Sequence, residues 1–311
     1  MIDMPKKSMF YISAAIALTI VIIVTYSAYS SYRLNDKMES VETRIQSVNF
    51  FIKNIEKDLD NGIYIAGFRT MLSFNQYITT NGSYIDDVNA RFKESFLNGT
   101  IKGQQLSLMQ DTTFNDWANK ISAEAAKIDI SFNYTIVDVN LNQSDPWTVA
   151  IGLNISMNVR DKKNTSYWTR NRYLSTKINI ISFEDPLYVV NSNGRITNSI
   201  IQSNISPFVT GGDVTNLMIH ANYSYYIAHN DSPSFLMRLQ GDLGNSSNGI
   251  ESLVNLDEFQ QQGISLKDRS VVDYIYFGST TTTNYRINNT PTWFKIDQVH
   301  LATYGVTNLT I

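Results

Sequence analysis

The sequence predicts an α+β chain: a long N-terminal transmembrane and extended helix, an antiparallel β-meander packed on helices, then a second mixed α+β domain. Three observations predict it. An apolar run over residues 9–26 follows Lys6 and Lys7 and passes, without proline or glycine, into apolar residues at helical spacing. Alternation of period two begins near residue 128 and recurs in three segments separated by turn residues. Beyond residue 190, short helical and extended patterns mix without a fixed repeat. The expected organisation is a cytoplasmic leader over 1–8, a transmembrane helix over 9–30 and an extended heptad helix over 31–80. Helices plus a three-stranded antiparallel sheet follow over 81–190, and a C-terminal α+β extracellular domain over 191–311.

A membrane crossing needs about 20 apolar residues at 1.5 Å rise each. Residues 9–26 nearly supply them, and the mild Ser, Ala and Tyr residues that follow complete the crossing. A cleavable secretory signal is the rival reading, because residues 27–30 include small side chains. Its apolar core is usually shorter, about 7–15 residues. Positive charge is retained inside, and Lys6 and Lys7 precede the span, which favours a cytoplasmic N-terminus with the bulk outside. Twelve Asn-X-Ser/Thr sequons lie after the span, at Asn81, Asn98, Asn133, Asn142, Asn154, Asn164, Asn204, Asn222, Asn230, Asn245, Asn288 and Asn308. They exceed what composition alone supplies and are candidate N-glycosylation sites on an exported surface.

Below the span a heptad repeat begins. Taking Leu34 as d, the a positions are Met38, Ile45, Ile52 and Leu59, and the other d positions are Val41, Val48 and Ile55. Lys37 at g can reach Glu42 at the following e of a parallel partner. β-Branched residues at most d sites point beyond a simple dimer. The partner expected is a second copy of the chain or a related subunit. The alternative is that the stripe packs on the chain's own globular part, and a third arrangement divides the stripe between the two.

Gly62 and Gly67 end the strict repeat, but Ile63, Phe68, Met71, Leu72 and Phe74 keep helical spacing to about Tyr77. A turn over 80–83, a short helix over 85–97 and a helix starting near Thr113, with Phe114, Trp117, Ile121 and Ala125 on one face, come next. The first strand reads from Ile128, Ile130, Phe132, Tyr134 and Ile136, with a turn over 142–146. The second runs from Trp147 to Val159 and the third over 167–181, with a turn over 161–165 between them. Asn133 and Asn154 then fall on the polar face, and Asn142 and Asn164 in turns. Residues 183–194 break the pattern; a short helix over 235–239 and strands over 271–277 and 293–306 follow.

Net charge is −3 with no basic cluster after the anchor, which argues against nucleic acid. The chain has no cysteine, which excludes thiolate catalysis, zinc–cysteine sites and disulfides. His220, His229 and His300 share no ligand spacing and read as solvated or locally bonded. Glu184 and Asp185, beside Pro186, fit a turn. No nucleophile elbow, P-loop or dinucleotide fingerprint is present, so no catalytic, cofactor-binding or metal residue is assigned, no cofactor is expected and an enzyme is not. Aromatic clusters at Tyr223, Tyr225 and Tyr226, at Tyr274, Tyr276 and Phe277, and at Trp293, Phe294 and Tyr304 read as core, with a face for surface glycans as the alternative.

The short basic leader, Lys6, Lys7 and Ser8, the immediate apolar helix from Met9, its helical extension and the sheet beyond resemble the type IV pilin-like proteins of archaea. That resemblance implies leader processing at Lys7, Ser8 and Met9, export of the head, and assembly of N-terminal helices with other pilin-like subunits. It covers about the first sixty residues in motif. Were the leader cut after Ser8, the fifth mature residue would be Ser13, where many pilins carry glutamate. Segments 183–188, 233–239 and 249–254 are similar to uncharacterised archaeal surface proteins. The function expected is a pilin-like or single-pass anchored surface protein with a structural or adhesive role; the alternative is an anchored glycan-binding module.

Overall fold

The computed structural model describes residues 6–163 and 166–311, with the side chains of 6–15, 35 and 36 left aside. The chain is α+β, with a long N-terminal helix and antiparallel sheets. Helix α1 (Lys6–Asn81) has 76 residues, a rod about 114 Å long at 1.5 Å per residue. It runs four residues past the expected end, through Gly62 and Gly67. The glycines are sites of close approach. A Cβ at Gly62 would stand 2.9 Å from the Trp117 ring, and one at Gly67 would stand 2.0 Å from Ile151 Cδ1.

Helix α2 (Val88–Asn98) starts at Asp87, whose carboxylate accepts the Ala90 N–H. A short hairpin, β1 (Thr100–Ile101) and β2 (Gln104–Gln105), leads to α3 (Phe114–Lys127). Thr113 and Asp116 form a reciprocal capping box at the start of α3. The meander follows as β3 (Ile130–Asp145), β4 (Thr148–Asp161) and β5 (Tyr167–Asn179), antiparallel in the order β3-β4-β5.

In β4 every odd position from Val149 to Val159 is buried, and the even positions up to Asn158 are half-buried except the buried Gly152. Strand β3 changes phase. A bulge between Ile136 and Asp138 turns Val137 outward, and the inward residues become Val139, Leu141 and Gln143. The expected turn over 142–146 shrinks accordingly: Asn142 lies in the strand opposite Ala150, and only Pro146 and Trp147 turn. Asn142 was expected in a turn because its polar neighbours hide an alternation that the bulge restores. The third strand stops at Asn179, two residues earlier than its hydrophobic pattern.

Helix α1 covers the inner face of this sheet. Val48, Ile52, Ile55, Leu59, Ile63, Ala66, Met71, Phe74 and Ile78 are all buried in one cluster with the β4 residues. Each large side chain contributes about 1.5–3 kcal/mol relative to exposure. Arg44 pins the start of this contact: its Nε donates to Asp161 Oδ1 at 2.7 Å, and its Nη2 to the carbonyls of Ile128 and Asp129 at 2.8 and 2.9 Å.

Beyond residue 180 the elements are short: α4 (Pro186–Asn191), α5 (Thr215–Asn222), β6 (Tyr226–Ala228), α6 (Phe235–Gln240), β7 (Ile250–Ser252) and α7 (Leu256–Gln261). They continue with α8 (Asp273–Phe277), β8 (Asn284–Arg286) and β9 (Lys295–Asp297). Two expected strands are corrected. Residues 273–277 are helical; Asp273, Tyr274, Tyr276 and Phe277 are all buried, so their burial has no readable period. Of 293–306 only Lys295–Asp297 is extended, and the rest is mostly turns. A second cluster, from Leu187 and Tyr188 to Tyr304 and Val306, fills this part. The first cluster also takes Ile200, Tyr226, Phe235, Leu239 and Ile250 from beyond residue 190.

Candidate functional site

The heptad residues divide at one point. Val48, Ile52, Ile55 and Leu59 are buried against the sheet and α3, with Val48 at 0% exposure. Leu34, Met38, Val41 and Ile45, on the same stripe and in the same register, are exposed, Met38 by 69%. With Lys37, Glu42 and Gln46 they line an open apolar groove along α1. A contiguous exposed apolar stripe marks a candidate interaction surface. Above it, residues 16–24 are exposed on every side. Among the described residues, α1 is the one helix long and apolar enough to cross a membrane. The backbone of Lys7, Ser8 and Met9 belongs to the first turns of α1, and their side chains lie outside the described residues, as do residues 1–5 of the expected leader.

Every described sequon asparagine is exposed except Asn154, which is half-buried. Asn164 lies outside the described residues. Asn133 stands on the outer, polar side of the sheet, opposite Asn158. Sugars on these side chains would meet solvent. Asn81 and Asn133 already donate to Tyr77 O and Ser131 Oγ, at 2.9 and 3.3 Å.

The C-terminal part holds two buried polar centres that linear spacing does not announce. In the first, Arg238 of α6 is fully buried. Its Nη1 lies 2.6 Å from Asp185 Oδ2 and 2.9 Å from Asp273 Oδ2, and its Nη2 donates to Ile250 O. Tyr226 O–H donates to Asp185 at 2.8 Å, and Ser252 donates to Asp273 through both its N–H, at 3.1 Å, and its hydroxyl, at 2.8 Å. Burial lifts the Asp273 carboxyl above its ordinary value, against the pull of the Arg238 guanidinium. Asp185, read from sequence as a turn residue, is thus an N-cap of α4 and a buried ion-pair partner.

In the second centre, His229, Glu251 and His300 converge from the end of β6, from β7 and from the turn after β9. Glu251 Oε2 is 3.2 Å from both His229 Nδ1 and His300 Nε2. His300 Nδ1 is 2.7 Å from Asp297 Oδ1, and Tyr304 O–H donates to Glu251 Oε1 at 2.9 Å. Burial disfavours a charged His300, but Asp297 and Glu251 outweigh it and raise the imidazole to about 10. Burial likewise opposes ionisation of Glu251, but the two histidines hold its carboxyl down at about 2. His220 differs: burial pushes it down to about 4, against the attraction of Glu251. Of the two expected states the histidines take the locally bonded one, to Ser203, Thr303 and Asp297 in turn: His220 and His300 are buried and His229 is half-buried. Of the aromatic groups, Tyr226, Tyr274, Tyr276, Phe277, Phe294 and Tyr304 are buried core, Tyr225 and Trp293 are half-buried, and Tyr223 is exposed.

Comparison with known protein families, with curated proteins and with solved structures finds no match.

Proposed function

We propose that this chain is a single-pass membrane-anchored surface protein, N-terminus inside and bulk outside, that assembles with further copies of itself in a pilin-like manner. The observation that carries the reading is the divided stripe. The heptad register runs unbroken from Leu34 to Leu59, yet the chain's own head covers it only from Val48 onward. The uncovered half is available to the same half of a neighbouring α1, with Lys37 and Glu42 placed to pair across the seam. Exposed Tyr26 ends the apolar run and exposed Tyr29 and Tyr32 follow it, where a membrane interface would receive aromatic rings. The exposed sequons are in keeping with an outward head.

Chemical crosslinking in native membranes tests this. Met38→Asp with Ile45→Asp should abolish the crosslinked oligomer while leaving the head folded. An oligomer that survives the pair refutes the assembly reading. Ile52→Asp is not a usable probe, because Ile52 belongs to the intramolecular core. The glycan-binding alternative retains one observation, the exposed Tyr223 ring stacked on Tyr225 at 5.4 Å. Glycan-array binding by the full chain, lost in Tyr223→Ala, would favour it; a blank array would remove it.

A further inference from the structure

We propose that His229, Glu251 and His300 bind a divalent transition-metal ion of the zinc class, leaving one coordination position for water or an exogenous ligand. The proposal is independent of the membrane and assembly reading.

The donor atoms of the three residues lie within 4.8 Å of one another. Two of the three separations are 3.2 Å, from Glu251 Oε2 to His229 Nδ1 and to His300 Nε2. Nitrogen and oxygen ligands at about 2.0–2.1 Å from a tetrahedral ion stand about 3.3 Å apart along an edge. Two edges of the tetrahedron therefore already have the required length. Glu251 Oε2 and His229 Nδ1 are buried without an aligned hydrogen bond. Buried polar atoms in that state are destabilising, and an ion between them would supply the missing partner.

The surrounding groups engage the far polar atom of each candidate ligand. Asp297 Oδ1 accepts the Nδ1–H of His300, at 2.7 Å, which turns Nε2 to the centre, where an incoming ion would displace the Nε2 proton. Tyr304 O–H occupies Glu251 Oε1 and leaves Oε2. Thr303 Oγ1 is 3.3 Å from His229 Nε2 and leaves Nδ1. Each candidate ligand has its second polar atom engaged elsewhere, which is how metal ligands are oriented. Tyr274 O–H, 3.1 Å from His300 Nε2, borders the remaining position. Glu251 and His300 are buried, whereas the His229 side chain is 20% exposed, so solvent and the ion reach the centre past His229. Two imidazoles and a carboxylate, in a chain without cysteine, suit zinc, cobalt or nickel and not a soft thiolate-seeking ion.

The test uses tag-free full-length protein in detergent, stripped with a chelator and titrated with Co2+ and then Zn2+. One Co2+ per chain should bind with visible d–d absorption, and Zn2+ should bleach it. Asp297→Asn should weaken Zn2+ binding about 10–100-fold. His229→Ala and Glu251→Gln should weaken it at least as much. The half-buried His229 makes His229→Ala the variant least disturbing to the fold, checked by far-UV circular dichroism. Zn2+ should raise the Tm of the wild type and not of His229→Ala. Absence of saturable binding to wild type, or equal affinity in wild type and His229→Ala, overturns the proposal and leaves a protonated His–Glu–His cluster in its place.

Discussion

Replacing Arg238 with methionine should be the most damaging single change in the C-terminal part. The guanidinium is wholly buried and stands where the two hydrophobic clusters meet. Phe235 and Leu239 of its own helix belong to the first cluster, and Val272 and Tyr274 beside Asp273 belong to the second. Arg238→Met keeps much of the volume but strands the Asp185 and Asp273 carboxylates without their counter-ion, and Ile250 O without its donor. Breaking a buried pair from one side costs about 3–5 kcal/mol. Neutralising the stranded partners should recover much of this, because the cost lies in the uncompensated charge. Arg238→Met combined with Asp185→Asn and Asp273→Asn should therefore be more stable than Arg238→Met alone. Urea unfolding of the full chain in detergent, followed by tryptophan fluorescence, reads the effect. All four tryptophans, Trp117, Trp147, Trp168 and Trp293, lie in the head, so the signal ignores the apolar part of α1. A loss under about 1 kcal/mol for Arg238→Met, or additive costs in the triple variant, would refute the reasoning.

Gly67→Val should destabilise by about 1–3 kcal/mol, because its side chain meets Ile151 Cδ1 across the helix–sheet contact; unchanged urea unfolding would place α1 farther from the sheet. His220 gives a pH dependence of definite sign. Its folded pKa, about 4, lies below the ordinary 6.5, so the neutral ring's contribution is complete above pH 6.5 and is lost as pH falls towards 4. Its surroundings are Ser203 Oγ at 3.1 Å from Nδ1, the rings of Phe208, Tyr225 and Tyr304, and the Glu251 charge. Between pH 8 and pH 5 the stability difference between wild type and His220→Gln should move by about 2 kcal/mol against the wild type. A difference flat across that range contradicts a buried neutral imidazole.

The sheet and the helices before it were legible because each buries one face, so burial writes a period into the residues. Val149 to Val159 alternate with Gly152 as the one exception, and Thr113 with Asp116 marks the start of α3. The period failed where burial is not one-sided. Asp273, Tyr274, Tyr276 and Phe277 pack on several sides and read as a strand, though they form a helical turn. It failed again at Val137, where a bulge changes the phase that the sequence cannot mark. The heptads were legible, but their division was not: Ile45 and Val48 are equally apolar, and only the position of the sheet and Arg44 decides which is covered. The polar centres were least legible. Arg238, Asp185 and Asp273, or His229, Glu251 and His300, come from segments far apart in the chain, and no local spacing foretells their meeting.

Cysteine scanning of α1 in native membranes tests self-assembly through the exposed stripe most directly, and the cysteine-free chain leaves no background disulfide. Met38→Cys and Ile45→Cys, at a positions, should form disulfide-linked dimers on mild oxidation. Thr43→Cys, exposed on the opposite side of the same turns, should remain monomeric. Equal crosslinking at positions 38, 43 and 45 would mean random collision, and no crosslinking at 38 and 45 would mean that the exposed half of the stripe has no partner copy. Either result would contradict assembly through Leu34, Met38, Val41 and Ile45.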